Sequence, residues 1–276
     1  MADSYGDYDL EYTGIRKTGE TYSACAPAKL NITLEIGALD SDTKLHRISS
    51  VMQAITLHDR ITLRKVDAGH EGIEGFSISD NIVEKSIEEL SRQSGKELHC
   101  RIGICKSIPI AAGMGGGSSD AAAALRLANR AYGLEMGMDG LERVARKIGN
   151  DISFLLHGGR AVVEGAESHS IRAIDFPILY YLIARPMMEL STREMYALHD
   201  KTGKSFTELA SELCPDTGRL LRDMKNSNPV ESGVTGKGPT AFAGYGTYAE
   251  CKKAADSIRW FKGEWFIERP VGPLSL

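Results

Sequence analysis

Apolar and polar side chains alternate along residues 23–36, where leucine and isoleucine at the even positions from 30 onward are separated by polar residues. A period of two residues predicts a β-strand with one buried face. Lys29 and Asn31 lie on the face opposite the leucines, and the pattern alone favours exposure of both side chains to solvent. Comparable apolar runs predict further strands over residues 50–54, 55–66, 98–107, 160–165, 178–183 and 260–268. Polar residues 58–60 interrupt the run over residues 55–66.

Helical spacing of apolar residues, at intervals of three and four, marks residues 81–93, 121–132 and 138–148. Glycine follows each of these segments closely, which is typical of a helix C-terminus. Residues 150–156 are predicted to form a short buried helix or strand with Asp151 at its start, where an aspartate most commonly caps a helix. Further helices are expected over residues 191–199, 205–214 and 248–258.

Strands and helices alternate irregularly, without a repeat of fixed period, which indicates an α+β fold in two lobes. The character of the sequence changes around residues 168–177. We place a domain boundary there, so that residues 1–170 form one domain and residues 171–276 the other. The polar and acidic first dozen residues are expected to be poorly ordered, and they resemble neither a signal peptide nor a transit peptide.

Composition narrows the class of protein. The chain has 276 residues and a formal net charge of −4, which argues against binding nucleic acid through a basic surface. It has no apolar run of about 18 residues, so no membrane-spanning helix is expected. The five cysteines are scattered and form no Cys-x-x-Cys pair, which favours reduced thiols in a cytoplasmic protein and gives no reason to expect zinc or another metal ligand set.

The most unusual segment is glycine-rich and spans residues 109–119. Backbone N–H groups in such a run can converge on one point, and the serines that end it stand where a helix would begin. The helix dipole favours an anion there, so the segment predicts a phosphate-binding loop. A flexible Gly/Ser linker is the alternative, although a strand-like run before the segment and a helix after it disfavour one. The predicted nucleotide-binding residues are Pro109, Ile110, Ala111, Ala112, Gly113, Met114, Gly115, Gly116, Gly117, Ser118 and Ser119.

The common nucleotide motifs do not describe this loop. No Gly-Lys-Ser/Thr follows the glycines, so the segment is not a Walker A motif. Ser118 occupies the position of the third glycine in a dinucleotide-binding fingerprint, and no acidic ribose partner follows. The chain also lacks the His-Arg-Asp and Asp-Phe-Gly signatures of protein kinases. The residues alone therefore predict a phosphate or nucleotide site without specifying a reaction.

Several segments together resemble the GHMP small-molecule kinases, and the resemblance extends over roughly residues 26–245. The first motif of that family is matched by Ala26-Pro27-Ala28-Lys29-Leu30-Asn31, and the loop matches the second motif in a Gly-Gly-Gly-Ser-Ser version. The third glycine motif is matched by residues 236–240. Residues 148–151, followed by His157-Gly158-Gly159, are similar to the segment that carries the catalytic aspartate. The start of the family's substrate lobe is similar to Pro186, Ser191, Thr192 and Tyr196.

The resemblance implies an N-terminal lobe like domain 2 of ribosomal protein S5 and a ferredoxin-like C-terminal lobe. It implies ATP-dependent phosphorylation of a hydroxyl group, with Lys29 and Asp151 as the catalytic pair and Mg²⁺ bound near Ser118 or Ser119. The acceptor that it implies is the 2-hydroxyl group of 4-diphosphocytidyl-2-C-methyl-D-erythritol, in non-mevalonate isoprenoid biosynthesis. A monomer or a weak homodimer is expected. Acceptor contacts are expected from Asn31, His46, Thr192, Gly236 and Gly238.

The chain departs from the family where the acceptor is expected. Lys44-Leu45-His46 stands in place of the Gly-Tyr-His that holds the cytosine ring, and leucine cannot stack on a base as tyrosine does. In the third motif Thr235 and Lys237 replace serine, and Lys237 could contact phosphate or point to solvent. Other acceptors, such as mevalonate, phosphomevalonate or a sugar, therefore stay open. A GHMP-fold protein that only binds a ligand is a further alternative, which the presence of both Lys29 and Asp151 disfavours.

Overall fold

The computed structural model describes residues 12–40, 44–75, 82–166 and 169–276. Residues 1–11, for which the sequence predicts poor order, lie outside the described residues. In the described part of the chain the first sheet contains β1 Ile15–Thr18, β2 Thr21–Leu39, β3 His46–Lys65, β4 Gly72–Glu74, β5 Cys100–Cys105, β6 Arg160–Gly165 and β7 His169–Ala173. The strand order is β1-β2-β3-β5-β4, and β6 pairs with both β3 and β7.

Strand β3 is continuous over 20 residues, so the interruption predicted at residues 58–60 is wrong. The early half of the strand pairs with β6, and the late half pairs with β5. Asp59 lies in the middle of β3 and is fully buried. Its carboxylate accepts backbone hydrogen bonds from Ser107 and Ile108, which follow β5. A distant segment therefore satisfies the polar residue that the local pattern reads as a break.

Helices cover one face of this sheet, and together they form the first lobe. They are α1 Ile82–Ser94, α2 Gly116–Tyr132, α3 Met138–Ile148 and α4 Asn150–His157. Helix α2 packs directly against β2 and β3, with α1 and α4 beside it. Four consecutive alanines in α2, residues 121–124, are at most 2% exposed, and their small side chains permit close contact with the sheet. The predicted bounds of α1 and α3 agree with the structure to within one residue.

The second lobe is built on a second sheet. Its strands are β8 Tyr180–Arg185, β9 Glu231–Val234, β10 Ala241–Tyr245 and β11 Glu264–Glu268, in the order β11-β8-β10-β9, with antiparallel neighbours. Its helices are α5 Thr192–Thr202, α6 Phe206–Leu213, α7 Pro215–Lys225 and α8 Tyr248–Ser257. Helix α7 corresponds to no predicted element; Pro215 at its first position has the fixed backbone angle that suits a helix start. Among the described residues, no helix has the length and apolar character needed to cross a bilayer.

Two separate cores and a third cluster between them confirm the predicted α+β architecture in two lobes. The third cluster includes Leu30 and Met114 from the first lobe and Phe242 from the second. The end of the chain returns to the first lobe, where Val271 and Leu274 pack into its core. The division of the chain into domains of residues 1–170 and 171–276 therefore stays a prediction. Val271 and Leu274 belong to the second of these domains by sequence but pack in the core of the first lobe.

The two ends of the described chain meet at one buried arginine. Arg126, in α2, is 1% exposed. Its Nη2 atom donates to the carbonyl oxygen of Thr13 at 2.6 Å, and its Nε atom donates to the carbonyl oxygen of Ser275 at 2.8 Å. Burial lowers the pKa of this guanidinium to about 10, so it remains charged at neutral pH. The backbone of both ends thus solvates a cation inside the first lobe.

Candidate active site

The glycine-rich segment forms a tight turn into α2. Gly113 and Gly115 have φ angles of 75° and 72°, a left-handed conformation that glycine adopts without strain. Helix α2 begins at Gly116, two residues before the serines at which its start is predicted, and Gly115 is its N-cap. The first backbone N–H groups of the helix have no partner within it and point out of its N-terminus. This arrangement favours an anion, so the structure fits the predicted phosphate-binding loop.

A cavity of about 360 Å³, here called the loop cavity, is lined by residues 109–118 and by Lys106 and Asp120. The two serines of the loop differ in their surroundings. Ser119 is buried and its hydroxyl donates to the carbonyl oxygen of Pro27 at 2.7 Å. Ser118 is half-buried, lines the loop cavity, and has no hydrogen-bond partner for its hydroxyl among the described residues. Of the two predicted hydroxyl contacts to Mg²⁺, Ser118 is therefore the one that is available.

Lys29 and Asp151 are brought together across the two halves of the first lobe. Lys29 lies in β2 and is 4% exposed, so the solvent exposure predicted from the strand pattern is wrong. Its Nζ atom lies 3.6 Å from Oδ2 of Asp151, whose side chain is 36% exposed. Asp151 occupies the first turn of α4 but does not cap it, because Gly149 is the N-cap and no side-chain cap bond is present.

Asn31 connects these two residues to the third glycine motif. It is 3% exposed, so its predicted exposure is also wrong. Its Oδ1 atom accepts hydrogen bonds from Lys29 Nζ at 2.5 Å and from the backbone N–H of Gly236 at 2.9 Å. Its Nδ2 atom donates to the hydroxyl of Ser50 at 2.9 Å. These bonds hold the lysine ammonium in one position, and the expected contact of Asn31 with an acceptor stays a prediction.

The third glycine motif closes on the loop. A Cβ atom at Gly236 would lie 3.1 Å from the carbonyl oxygen of Gly113, a tighter contact than most Cβ atoms make, so the backbones of the two segments approach each other closely. Gly238 is buried, and a Cβ there would lie 2.9 Å from the Cβ of Ala210, which indicates a packing role; its predicted acceptor contact stays a prediction. Lys237 has no ion-pair or hydrogen-bond partner among the described residues and lines a cavity beside Lys29.

A buried charge cluster lies beneath the loop. Lys106 Nζ donates to Asp59 Oδ2 at 2.5 Å and to Asp120 Oδ2 at 2.7 Å. The other oxygen of Asp120, Oδ1, is buried and has no partner in the described part of the chain. Burial and the charge of Asp59 raise the pKa of Asp120 to about 7, against the opposing effect of Lys106. The cluster ties β3, the entry to the loop and the first turns of α2 together.

Two further cavities adjoin the loop cavity. The central cavity, of about 240 Å³, shares Gly113 and Gly115 with the loop cavity and is also lined by Lys29 and Asp151. The outer cavity, of about 710 Å³, shares Asp151 with the central cavity. The three cavities therefore form a row, with the lysine–aspartate pair in the middle. Thr192 lines the central cavity, and His46 lines the outer one, as their predicted acceptor contacts require.

The outer cavity contains an aromatic pair. The rings of His46 and Tyr196 are stacked, with centroids 5.2 Å apart and planes inclined by 22°. Leu45, at the position where an aromatic residue is usual, lines the same cavity and is 45% exposed. Burial and the nearby Asp151 raise the pKa of Tyr196, so its hydroxyl stays protonated at neutral pH.

Sequence reasoning missed several residues of this site. Tyr196 stood in a resembling segment, but nothing in the local pattern indicates that its ring meets His46, since the two lie in different lobes. Lys106 and Asp59 are separated by 47 residues, and only the fold brings them together. The polar residue inside an apolar strand at position 59 is the one available signal, because a buried carboxylate requires a partner.

Comparisons with known proteins agree with the two-lobed fold. The model of the GHMP kinases N terminal domain matches residues 81–159. A 4-diphosphocytidyl-2-C-methyl-D-erythritol kinase from Carboxydothermus hydrogenoformans is 33% identical over 287 residues, covering 91% of this chain and 98% of the relative. A crystal structure of 4-(cytidine 5'-diphospho)-2C-methyl-D-erythritol kinase has a TM-score of 0.76 at 22% identity, covering 91% of this chain and 99% of the other. The mevalonate kinase of Methanococcus jannaschii has a TM-score of 0.68 at 13% identity, with 93% and 100% covered. The fold is thus common to kinases of different acceptors.

Proposed function

Because this chain belongs to the GHMP kinase family, with a full-length relative among the 4-diphosphocytidyl-2-C-methyl-D-erythritol kinases, we propose that it is a kinase of that specificity. The reaction transfers the γ-phosphoryl group of ATP to the 2-hydroxyl group of 4-diphosphocytidyl-2-C-methyl-D-erythritol, in non-mevalonate isoprenoid biosynthesis. The observation that carries the proposal is the row of three cavities, with Lys29 and Asp151 between the phosphate loop and the outer cavity. A donor on one side and an acceptor on the other would meet at that pair.

Asp151 is the proposed general base. Its carboxylate lines both the central and the outer cavity, where it can accept the proton of the attacking hydroxyl group. The hydroxyl oxygen then forms a bond to the γ-phosphorus, and the bond from that phosphorus to the bridging oxygen of ADP breaks. Catalysis of this kind depends mainly on position and on charge, and the first turn of α4 fixes the position of the carboxylate.

Lys29 is proposed to orient Asp151 and to stabilise negative charge between the hydroxyl and the γ-phosphoryl group. The ammonium group is buried and held by Asn31, so little reorganisation is needed during the reaction. Lys237, which also lines the central cavity, supplies a second positive charge near the expected phosphates. Asn31 acts in this scheme as a positioning residue for Lys29.

The phosphate groups of ATP are proposed to lie at the N-terminus of α2. The backbone N–H groups of Gly116 and Gly117 and the hydroxyl of Ser118 are the donors available there. The hydroxyl of Ser118, which has no partner among the described residues, would be a contact for Mg²⁺, an ion that would neutralise phosphate charge there. The adenosine part would occupy the remainder of the loop cavity, whose wall is mostly apolar.

A second acceptor class has one observation in its favour. Leu45 offers no ring for stacking on cytosine, so another hydroxylated metabolite, such as mevalonate, phosphomevalonate or a sugar, is the alternative. Tyr196 and His46 supply aromatic surface in the same cavity, which favours the cytidyl acceptor. A monomer or a weak homodimer in the cytoplasm stays part of the proposal, and light scattering on the purified chain tests the oligomeric state.

The test is a coupled ADP-release assay with 4-diphosphocytidyl-2-C-methyl-D-erythritol, mevalonate, phosphomevalonate and galactose as acceptors. We expect kcat/KM for the cytidyl acceptor to exceed that for the others by at least about a hundredfold, since a site that binds one polar acceptor rejects others strongly. Turnover of mevalonate alone would reject the proposed acceptor but keep the kinase. Binding of ATP without turnover of any acceptor would reject catalysis.

A further inference from the structure

His46, His199 and Asp200 converge at the edge of the outer cavity. One ring nitrogen of each histidine and one carboxylate oxygen of Asp200 all lie within 4.8 Å of one another. Nε2 of His46 and Oδ1 of Asp200 are 3.1 Å apart, close to the spacing of two ligands on one tetrahedral metal ion. His46 comes from β3 in the first lobe, whereas His199 and Asp200 come from the last turns of α5 in the second.

Both imidazoles are oriented by the backbone. Nδ1 of His46 lies 2.9 Å from the carbonyl oxygen of Gly37, and Nδ1 of His199 lies 2.8 Å from the carbonyl oxygen of Lys204. A carbonyl oxygen can only accept, so each Nδ1 donates to it, which leaves Nε2 as the ring nitrogen that could bind a metal ion. Metal-binding histidines characteristically donate their other N–H group to a carbonyl or carboxylate, which fixes the ring and its tautomer.

The surroundings suit an ion with one open coordination position. His46 and His199 are half-buried, and Asp200 is exposed. Tyr196 stacks on His46, and Phe206 packs against the edge of His199 with ring centroids 6.2 Å apart, so both imidazoles have rigid aromatic neighbours. The outer cavity borders His46 and Asp200 and leaves room for water as a fourth ligand.

We propose that His46, His199 and Asp200 form a binding site for Zn²⁺ that bridges the two lobes. Two imidazoles and one carboxylate match the ligands that zinc takes in open sites, and imidazole favours zinc over the harder Mg²⁺. The expectation of no zinc in this chain was based on its cysteines, and this ligand set contains none. Small rotations of the side chains would bring the ligand atoms to tetrahedral spacing.

Zinc at this site would compete with the acceptor for His46. This competition, unlike zinc binding itself, rests on the proposed function. His46 is a predicted acceptor contact, and a metal ion on it would remove the imidazole from the cavity. Zn²⁺ is therefore expected to raise the apparent KM for the acceptor while leaving kcat unchanged. Binding of zinc itself does not depend on which acceptor, if any, the enzyme uses.

Equilibrium dialysis against Zn²⁺ in buffer with millimolar Mg²⁺ tests the site, with bound metal measured by atomic emission. His199→Asn keeps a donor toward Lys204 and lacks Nε2, and Asp200→Asn removes the charge; neither residue belongs to the proposed catalytic machinery. We expect one zinc ion per wild-type chain and at least about tenfold weaker binding in each variant. His70→Asn, at an exposed histidine away from the cavities, is the matched control and should bind as the wild type does.

Absence of bound zinc on the wild-type chain, or an equal loss in the His70→Asn control, would overturn the site. Substitution with Co²⁺ adds a second readout, because tetrahedral nitrogen and oxygen ligation gives an absorption band that His199→Asn should abolish. Zinc bound at this site without any change in the KM for the acceptor would reject the competition alone. Failure of all acceptors to turn over would reject the proposed function and leave the zinc result intact.

Discussion

The hydroxyl of Thr235 donates a hydrogen bond to the carbonyl oxygen of Gly113 at 3.2 Å, and so fastens the third glycine motif of one lobe to the phosphate loop of the other. The same hydroxyl accepts from the backbone N–H of Asn31 at 3.1 Å. Serine, the usual residue at position 235, could make both bonds, so this departure from the family preserves the contact. Thr235 therefore links the loop to β2, because the residue that holds Gly113 is itself held by the backbone of Asn31.

Asp151→Asn should lower kcat by about 10²–10⁴ with ATP binding nearly unchanged, because the amide cannot accept the proton of the hydroxyl group. Rates come from the ADP-release assay, and nucleotide affinity from calorimetry. Asp139→Asn is the matched control, since Asp139 occupies the same first-turn position in α3 but is exposed to solvent. Near-normal turnover in Asp151→Asn would remove this residue from the role of base.

Asn31→Ala should lower kcat/KM by about tenfold to a hundredfold, because Lys29 loses the acceptor that holds its ammonium group. Loss of buried hydrogen bonds should also lower the free energy of unfolding by about 1–3 kcal/mol. Ser50→Ala removes the partner of Asn31 Nδ2 and a hydrogen bond to the carbonyl oxygen of Thr33 but leaves the bond from Lys29 to Asn31, and so serves as the control for a purely structural effect. Equal kinetic losses in the two variants would contradict a specific role of Asn31 in placing the lysine.

Gly113→Ala should weaken ATP binding and lower the melting temperature, since its Cβ atom would lie 2.6 Å from the carbonyl oxygen of Thr235. Gly133→Ala has a similar positive φ of 57°, but no atom lies within 4 Å of its added Cβ. The control therefore carries only the backbone strain, about 1 kcal/mol. Thermal unfolding with and without ATP separates the two effects. If ATP raises the melting temperature of Gly113→Ala as much as that of Gly133→Ala, the contact with Thr235 is not needed for ATP binding.

Asp120→Asn should be more stable relative to the wild type at pH 8 than at pH 5. Burial and the charge of Asp59 raise the pKa of Asp120 to about 7, above the value of an unfolded aspartate. The stability that this group contributes is present at low pH and is lost as the pH rises through about 7. The asparagine removes this loss, on the order of 2–3 kcal/mol between pH 5 and pH 8, as denaturant unfolding at several pH values can measure. A difference between the two proteins that does not change with pH would contradict the raised pKa.

Leu45→Tyr should lower the KM for the cytidyl acceptor by about two- to tenfold at unchanged kcat, because a ring adds stacking on the base. Ile178→Tyr introduces a tyrosine at another exposed aliphatic position and is the control. An unchanged KM in Leu45→Tyr would indicate that the base, if present, does not contact this position.

Local sequence pattern predicts those elements that are stabilised locally. Helices α1 and α3 have apolar residues on one face and glycine near their ends, and their predicted bounds agree with the structure. The local pattern divides strand β3 at the polar residues around Asp59. The strand is continuous because the backbone of residues 107 and 108, far along the chain, donates hydrogen bonds to the Asp59 carboxylate. Helix α7 was missed although Pro215 begins it, since a proline is read as readily as a break.

The candidate site was predictable only in part. The glycine loop could be recognised from its residues, because the chemistry of an anion site is contained in one short segment. The burial of Lys29 and Asn31 could not be predicted, because their strand faces the third glycine motif about 200 residues further along the chain. The periodicity of a β-strand does not indicate which of its faces contacts another lobe. The stacking of His46 on Tyr196 likewise depends on contact between lobes.

The buried Arg126 has a consequence for how the protein is made. Its guanidinium needs the carbonyl oxygens of both Thr13 and Ser275, which stand 262 positions apart. While a ribosome is still translating the chain, the later of these partners does not yet exist, and the cation in the first lobe lacks part of its solvation. Domains commonly fold as they emerge during synthesis. Here the lobe that is translated first, with the phosphate loop in it, gains the hydrogen bonds of Arg126 to Ser275 only after residue 275 has been synthesised.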